Sequence, residues 1–188
     1  DYESASYTST DAGSNNGSDV ANWVFDSARK AGDSAVVASD SNCYVVVFRS
    51  VGRQEYATKD VRHILFKVDE SALDSEAETY EADLQAAKDA AKTAAEDALA
   101  QWKAGDATED SFAQLANENS SDGGSNTNGG LYEQVAPGDM VAEFNDWCFD
   151  AARNPGDTGI VETTYGYHVM YFVGTDLPCW QVQVRKAL

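Results

Sequence analysis

Thr163-Thr164-Tyr165-Gly166-Tyr167-His168-Val169-Met170-Tyr171-Phe172 sets a tight turn at Tyr165-Gly166 directly before an aromatic and β-branched run. That is the pattern of a β-hairpin, and its second strand opens with a histidine. The only other histidine, His63, also opens an apolar run, His63-Ile64-Leu65-Phe66. Two strands that each begin with a side chain titrating near neutral pH can bring both imidazoles together in one sheet. A histidine beside a strand is more often a buried structural residue than a working one, so the reading depends on what lies between the two. Two histidines and three scattered cysteines, Cys43, Cys148 and Cys179, offer no ligand cluster of recognisable spacing, which argues against a metal site.

The 188 residues suffice for one or two small domains, and a hydrophobic content of 43% supports a real core. Thirty-two acidic residues against 13 basic ones give a formal net charge of −19. A field of that sign repels phosphate backbones and anionic membrane surfaces, so nucleic acid is not an expected partner. No apolar run has the length needed to span a bilayer, and no signal peptide is recognisable. A chain opening at Asp1 without methionine reads as a trimmed or processed one.

In chain order, residues 1–19 are polar, with one short strand expected at Ala5–Thr8. Val20–Lys30 carries helical spacing up to a stop at Gly32, and strands are expected near Ala35–Val37 and at Cys43–Phe48. Tyr56–Asp60 reads as a linker and His63–Val68 as a strand. Ser75 with Glu78 forms a capping box for a long Ala- and Lys-rich helix that stops at Gly105. Thr108 caps a second helix. Ser120–Gly130 is a Gly, Ser and Asn loop, followed by a strand at Leu131–Val135. The expected remainder is a helix over Met140–Ala152, a closing hairpin ending near Gly174, and an extended tail.

Several pieces fall in a telling order: Val61-Arg62-His63-Ile64-Leu65, Phe112-Ala113-Gln114-Leu115-Ala116, Ser120-Ser121-Asp122-Gly123-Gly124-Ser125, Gly129-Gly130-Leu131, Gly138-Asp139-Met140 with Phe144, and Thr163 to His168. In this order and spacing, residues 57–175 resemble the parvulin family of peptidyl-prolyl cis-trans isomerases. The resemblance implies an α+β fold, a four-stranded antiparallel sheet flanked by helices. It implies a catalytic set of His63, Asp122, Thr163 and His168, and a proline pocket of Leu131, Met140 and Phe144 with Tyr165 at its mouth. The i, i+4 spacing of Met140 and Phe144 supports the pocket independently. Asp122 falls where parvulins carry cysteine or aspartate, and the acid form excludes covalent catalysis there. Where many members read Gly-Gly-Asp-Leu-Gly, this chain reads Gly129-Gly130-Leu131-Tyr132, one residue shorter.

The beginning of the chain repeats its end. Trp23-Val24-Phe25-Asp26-Ser27-Ala28-Arg29 matches Trp147-Cys148-Phe149-Asp150-Ala151-Ala152-Arg153 at an offset of 124 (147 − 23), and Gly32-Asp33 matches Gly156-Asp157. At that offset Tyr44 stands in the place of His168, Val20 in that of Phe144 and Asn16 in that of Met140. Residues 1–56 are therefore expected to be a partial, degenerate parvulin-like unit, residues 57–175 the complete domain, and residues 176–188 the extended tail. A half-unit leaves one edge to be covered, by the complete domain or by a second chain.

An X-Pro bond needs no nucleophile, metal or cofactor to isomerise, because no bond is broken. The function implied is a prolyl isomerase that twists X-Pro bonds noncovalently in proline-containing unfolded or partly folded polypeptides. The alternative is a catalytically weak parvulin-like chaperone or peptide-binding module. A phosphate-directed parvulin would carry basic residues after the first strand, whereas here Lys67 is followed by Asp69, Glu70 and Asp74. By analogy with bacterial foldases, the expected location is extracytoplasmic, secreted or anchored at the cell surface, with any membrane anchor outside these residues.

Overall fold

The computed structural model describes residues 19–38, 43–52, 54–71 and 73–187. The chain divides into two compact units, residues 1–53 and 54–188. The strand expected at Ala5–Thr8 lies outside the described residues.

In the first unit a short helix, α1 (Asp19–Val24), precedes an antiparallel hairpin of β1 (Ser34–Ala38) and β2 (Cys43–Val47), with Ser34 opposite Val47 and Ala38 opposite Cys43. The helix stops well before Lys30 because Asp26 offers the backbone an alternative: its carboxylate accepts the Ala28 N–H at 2.9 Å and its carbonyl accepts the Arg29 N–H. Arg29 then lies 4.0 Å over the Trp23 ring and donates from Nε to the Trp23 carbonyl. Each of these contacts recurs 124 residues on. Arg153 lies 4.0 Å over Trp147 and donates to its carbonyl, and Asp150 accepts the Ala152 N–H. Gly32 and Gly156 donate to the carbonyls of Phe48 and Phe172, which donate back to those of Asp33 and Asp157.

The second unit is a four-stranded antiparallel sheet in the order β4-β3-β6-β5. Its strands are β3 (Ala57–Lys67), β4 (Leu131–Val135), β5 (Thr158–Thr163) and β6 (Gly166–Pro178). The Tyr56–Asp60 linker is largely absorbed into β3, where Ala57 faces Pro178 and the buried Thr58 hydroxyl donates to the Leu177 carbonyl at 2.8 Å. Accordingly β6 runs past Gly174. Beyond it the chain is helical, not an extended tail: α5 (Cys179–Ala187) starts with the Cys179 N–H on the Tyr56 carbonyl and buries Cys179 and Val182, one helical turn apart.

One face of the sheet is covered by α2 (Tyr80–Ala104) and α3 (Glu109–Asn119), which bury Ala91, Ala95, Trp102, Phe112 and Ala116 against Ile64, Tyr167, Val169 and Tyr171. The Ser75 capping box does not form, because Asp74 takes the Glu76 and Ala77 N–H groups into a turn and the helix begins after Thr79. Thr108 does cap α3, in a reciprocal box with Ser111. The other face carries α4 (Ala142–Phe149), with Phe144 and Cys148 against Val61, Met170 and Phe172. Met140 lies before this helix rather than in it, yet packs on the same cluster.

Phe112 is fully buried with its ring edge-on to Trp102. Phe112→Ala is expected to cost about 3–5 kcal/mol, measured by urea unfolding. Glu118→Ala on the exposed side of the same helix is expected to change stability by no more than about 0.5 kcal/mol.

Candidate functional site

His63 and His168 sit on neighbouring strands, His168 opposite Leu65 and His63 opposite Met170. Residues two apart on a strand share a face, so both imidazoles project from the α4 side. Such diagonal neighbours are within reach of long side chains. Their Nδ1 atoms are 3.0 Å apart and the rings stack at 5.2 Å between centroids. Phe144 stands edge-on to both, 5.4 Å from His63 and 5.5 Å from His168.

Asp122 reaches this pair because the loop after α3 is sewn to the strand that carries His63. The Ser120 hydroxyl accepts the Leu65 N–H, the Ser121 N–H donates to the Leu65 carbonyl, and the Gly130 carbonyl accepts the His63 N–H. Ser120–Gly130 thus prolongs the β4 edge of the ladder where β4 itself has ended. Gly130 adopts φ 69°, and a Cβ there would run into the His63 carbonyl, so only glycine lets the loop come this close. Arg62 holds the far end, donating to the Asn128 and Gly129 carbonyls and pairing with Glu109 at 2.9 Å.

One oxygen of Asp122, Oδ2, collects three donors: Ser125 Oγ at 2.5 Å, Tyr132 Oη at 3.0 Å and His63 Nε2 at 3.0 Å. Partial burial works against ionisation, but these bonds, Ser125 first, outweigh it and hold the carboxyl at about 2. Burial pushes the His63 imidazole below its ordinary value despite the nearby carboxylate. Burial, with the neighbouring His63, lowers His168 to about 4. Both rings are therefore neutral at pH 7.

Those charge states fix every proton. An anionic Asp122 only accepts, so His63 Nε2 carries hydrogen and His63 Nδ1 is bare. His168 Nδ1 must then donate to it, which leaves His168 Nε2 to accept from the Thr163 hydroxyl at 2.8 Å. Thr163 Oγ1 in turn accepts the Tyr165 N–H at 3.1 Å. The result is one directional chain running Tyr165, Thr163, His168, His63, Asp122.

The structure brings His63, Asp122, Thr163, His168, Met140 and Phe144 to one side of the sheet. Leu131 is placed differently from the sequence expectation: it faces Arg62 across the strands, while Tyr132 packs with Met140 beside Phe144 and stands 5.4 Å from His63. The register gains a residue between Lys59 and Val61, so Tyr132 and Val135, three apart, share one cluster. Tyr165 joins the chain through its backbone N–H, and the residue is 59% exposed in the two-residue turn Thr164-Tyr165. Ser125 and Tyr132 were not singled out by the sequence. The signal for the first was the Asp-x-x-Ser spacing, which returns a hydroxyl to its own carboxylate. Among the described residues no group of three or more His, Cys, Asp or Glu is placed to hold a metal ion.

A histidine depressed below its unfolded value of 6.5 leaves the unfolded chain binding the extra proton between that value and about 4. Stability is therefore expected to fall steadily as pH drops through this window, and not above it. Urea midpoints between pH 8 and pH 4 check this, and His168→Asn is expected to flatten the slope.

The family model of the PPIC-type PPIASE domain matches residues 45–174. Foldase protein PrsA 1 of Listeria innocua is 44% identical over 63 residues, 33% of this chain and 21% of that protein. A crystal structure of peptidylprolyl isomerase PrsA from Bacillus cereus aligns with a TM-score of 0.46 at 24% identity, over 71% of this chain and 41% of that one. A structure from work on PEB4 and the periplasmic protein Cj1289, two related SurA-like chaperones of Campylobacter jejuni, gives 0.46 at 23% identity, over 70% of this chain and 44% of that one. The chain spans about a fifth of the length of the curated relatives it matches. Since the family model runs over well more than half of the polypeptide, the chain belongs to the PPIC-type, or parvulin-type, family of peptidyl-prolyl isomerase domains.

Proposed function

We propose that the second unit isomerises X-Pro bonds in unfolded or partly folded polypeptides without covalent chemistry. The observation that carries this reading is the directional hydrogen-bond chain from Thr163 through two neutral imidazoles to the Asp122 carboxylate, lying beside the apolar wall of Phe144 and Met140. Amide resonance sets a barrier of roughly 18–20 kcal/mol to rotation. A catalyst lowers it by binding the twisted amide better than either planar form, each 1.36 kcal/mol giving tenfold. Phe144 and Met140 exclude water from the prolyl ring. The carboxylate of Asp122, immobilised by three donors, supplies a fixed negative charge that does not need to reorganise as the carbonyl turns. The two imidazoles hold that carboxylate and exchange no proton with substrate.

The first unit is proposed to be a partial degenerate repeat of this domain, a reading supported by the contacts shared at an offset of 124. It carries Tyr44 where the second unit carries His168, so turnover is assigned to residues 57–175. An extracytoplasmic place of work, in a bacterial foldase, is proposed from the foldase names of the relatives. No described helix is long and apolar enough to cross a membrane.

A protease-coupled assay on an Ala-Pro peptide is expected to show acceleration, with no preference for phosphoserine before proline. His168→Asn is expected to reduce turnover while most peptide affinity remains, and Tyr44→Phe to leave turnover as it is. Peptide binding without rate enhancement would instead assign the chain to the alternative, a holding module. Met140→Ala combined with Phe144→Ala is expected to weaken peptide binding by roughly 1–3 kcal/mol per side chain, read by titration calorimetry. Unchanged affinity would move the pocket elsewhere.

A further inference from the structure

We propose that Tyr132 is a positioning residue, one side chain that both walls the substrate site and sets the orientation of Asp122. This rests on the isomerase reading and adds to it a residue of this chain's own. Three observations carry it. The Tyr132 ring packs with Met140 on the Phe144 cluster and lies tilted over His63 at 5.4 Å, so a prolyl ring resting on that cluster also rests on Tyr132. The Tyr132 hydroxyl donates to Asp122 Oδ2 at 3.0 Å, the same oxygen that accepts His63 Nε2. Gly124 makes room for that bond, because a Cβ there would stand 2.8 Å from the Tyr132 oxygen.

The consequences follow from the count of donors on one oxygen. Ser125 is fully buried, and its hydroxyl approaches Asp122 from within the loop, so it cannot respond to substrate. His63 is held by the strand and by His168. Tyr132 is the donor that reaches Asp122 from the apolar wall, at the end of a half-buried ring. A bound proline that presses on the ring therefore keeps the hydroxyl on the carboxylate, which keeps Asp122 aligned with the His63 Nε2 proton. A leucine or phenylalanine at this position would preserve the wall and sever the link. Specificity and turnover are thus joined through a single phenol.

The test uses the full chain and reads two quantities. One is the titration of the Asp122 carboxyl by ¹³C NMR, and the other is kcat and KM for an Ala-Pro peptide across pH. Tyr132→Phe keeps the ring and is expected to leave KM unchanged and lower kcat. It is also expected to raise the Asp122 titration by about one pH unit, a tenfold change in proton affinity. Gly124→Ala, which leaves Tyr132 in place but crowds its hydroxyl, is expected to reproduce both effects, and a shared result also answers the objection that one variant merely misfolds. An unchanged Asp122 titration in both variants overturns the proposal, as does a shifted titration with unaltered kcat. Should the wild-type chain accelerate no X-Pro bond, the isomerase reading fails instead, and the carboxyl titration alone then decides whether Tyr132 anchors Asp122.

Discussion

Two imidazoles share a hydrogen bond between their Nδ1 atoms only when one of those atoms carries a proton and the other does not. A second proton would set two N–H groups against each other at 3.0 Å, and none would set two lone pairs there. The contact between His63 and His168 is thus a constraint on charge as much as on shape. Burial by the sheet and by Phe144 removes the water that would protonate the rings. Asp122 and Thr163 decide which nitrogen keeps its hydrogen, each from its own end of the chain. Remove either end and the pair can flip tautomers, so the loop carrying Asp122 and the turn carrying Thr163 are tied to a bond neither of them makes.

That constraint explains where the fold spends its irregularities. A regular β4 would continue alongside β3 and leave no place for a carboxylate. Instead β4 covers only the start of β3, and Ser120, Ser121 and Gly130 take over its backbone hydrogen bonds from His63 to Leu65. The bulge opposite Asp60 has the same effect on the other partner: Asp60 accepts the Gln134 N–H at 2.8 Å, Gln134 sits at φ 57°, and Tyr132 turns toward His63. Strain of this kind, of order 1–3 kcal/mol at each site, persists where the surroundings determine the conformation. At Gln134 the surroundings are the carboxylates of Asp60 and Asp176, which accept its backbone N–H and its side-chain amide.

The closing hairpin and the two strands that carry the histidines were legible because each rests on a local pattern, a turn before a β-branched run or an apolar run opened by an imidazole, whereas the four-stranded antiparallel sheet was legible only through the resemblance to parvulins. What the sequence did not disclose depends on contacts distant in the chain. The Tyr56–Asp60 stretch looks like a linker until the Thr58 hydroxyl finds the Leu177 carbonyl, 119 residues away. Cys179 to Ala187 looks extended until Cys179 and Val182 acquire a surface to be buried against. The misplacement of Leu131 has the sharpest cause: Gly129-Gly130-Leu131-Tyr132 is one residue shorter than the family motif, and a slip of one residue exchanges the two faces of the sheet, so Tyr132 and not Leu131 faces His63. Ser75 with Glu78 fits the capping pattern as well as Thr108 with Ser111 does, but Asp74, one residue earlier, forms its own turn first.

The two units together separate scaffold from site. In both, an arginine lies over a tryptophan, an aspartate caps the following turn, and a glycine at φ 92° or 91° delivers the chain into a hairpin with the same register. Those contacts are met entirely by residues within about 25 positions of one another. The imidazole pair is of another kind, because its members are 105 residues apart and one comes from a strand that the described part of the first unit does not contain. The hydrogen bonds of the first unit's hairpin need no imidazole, whereas the site of the second unit cannot exist without the strand that brings His63.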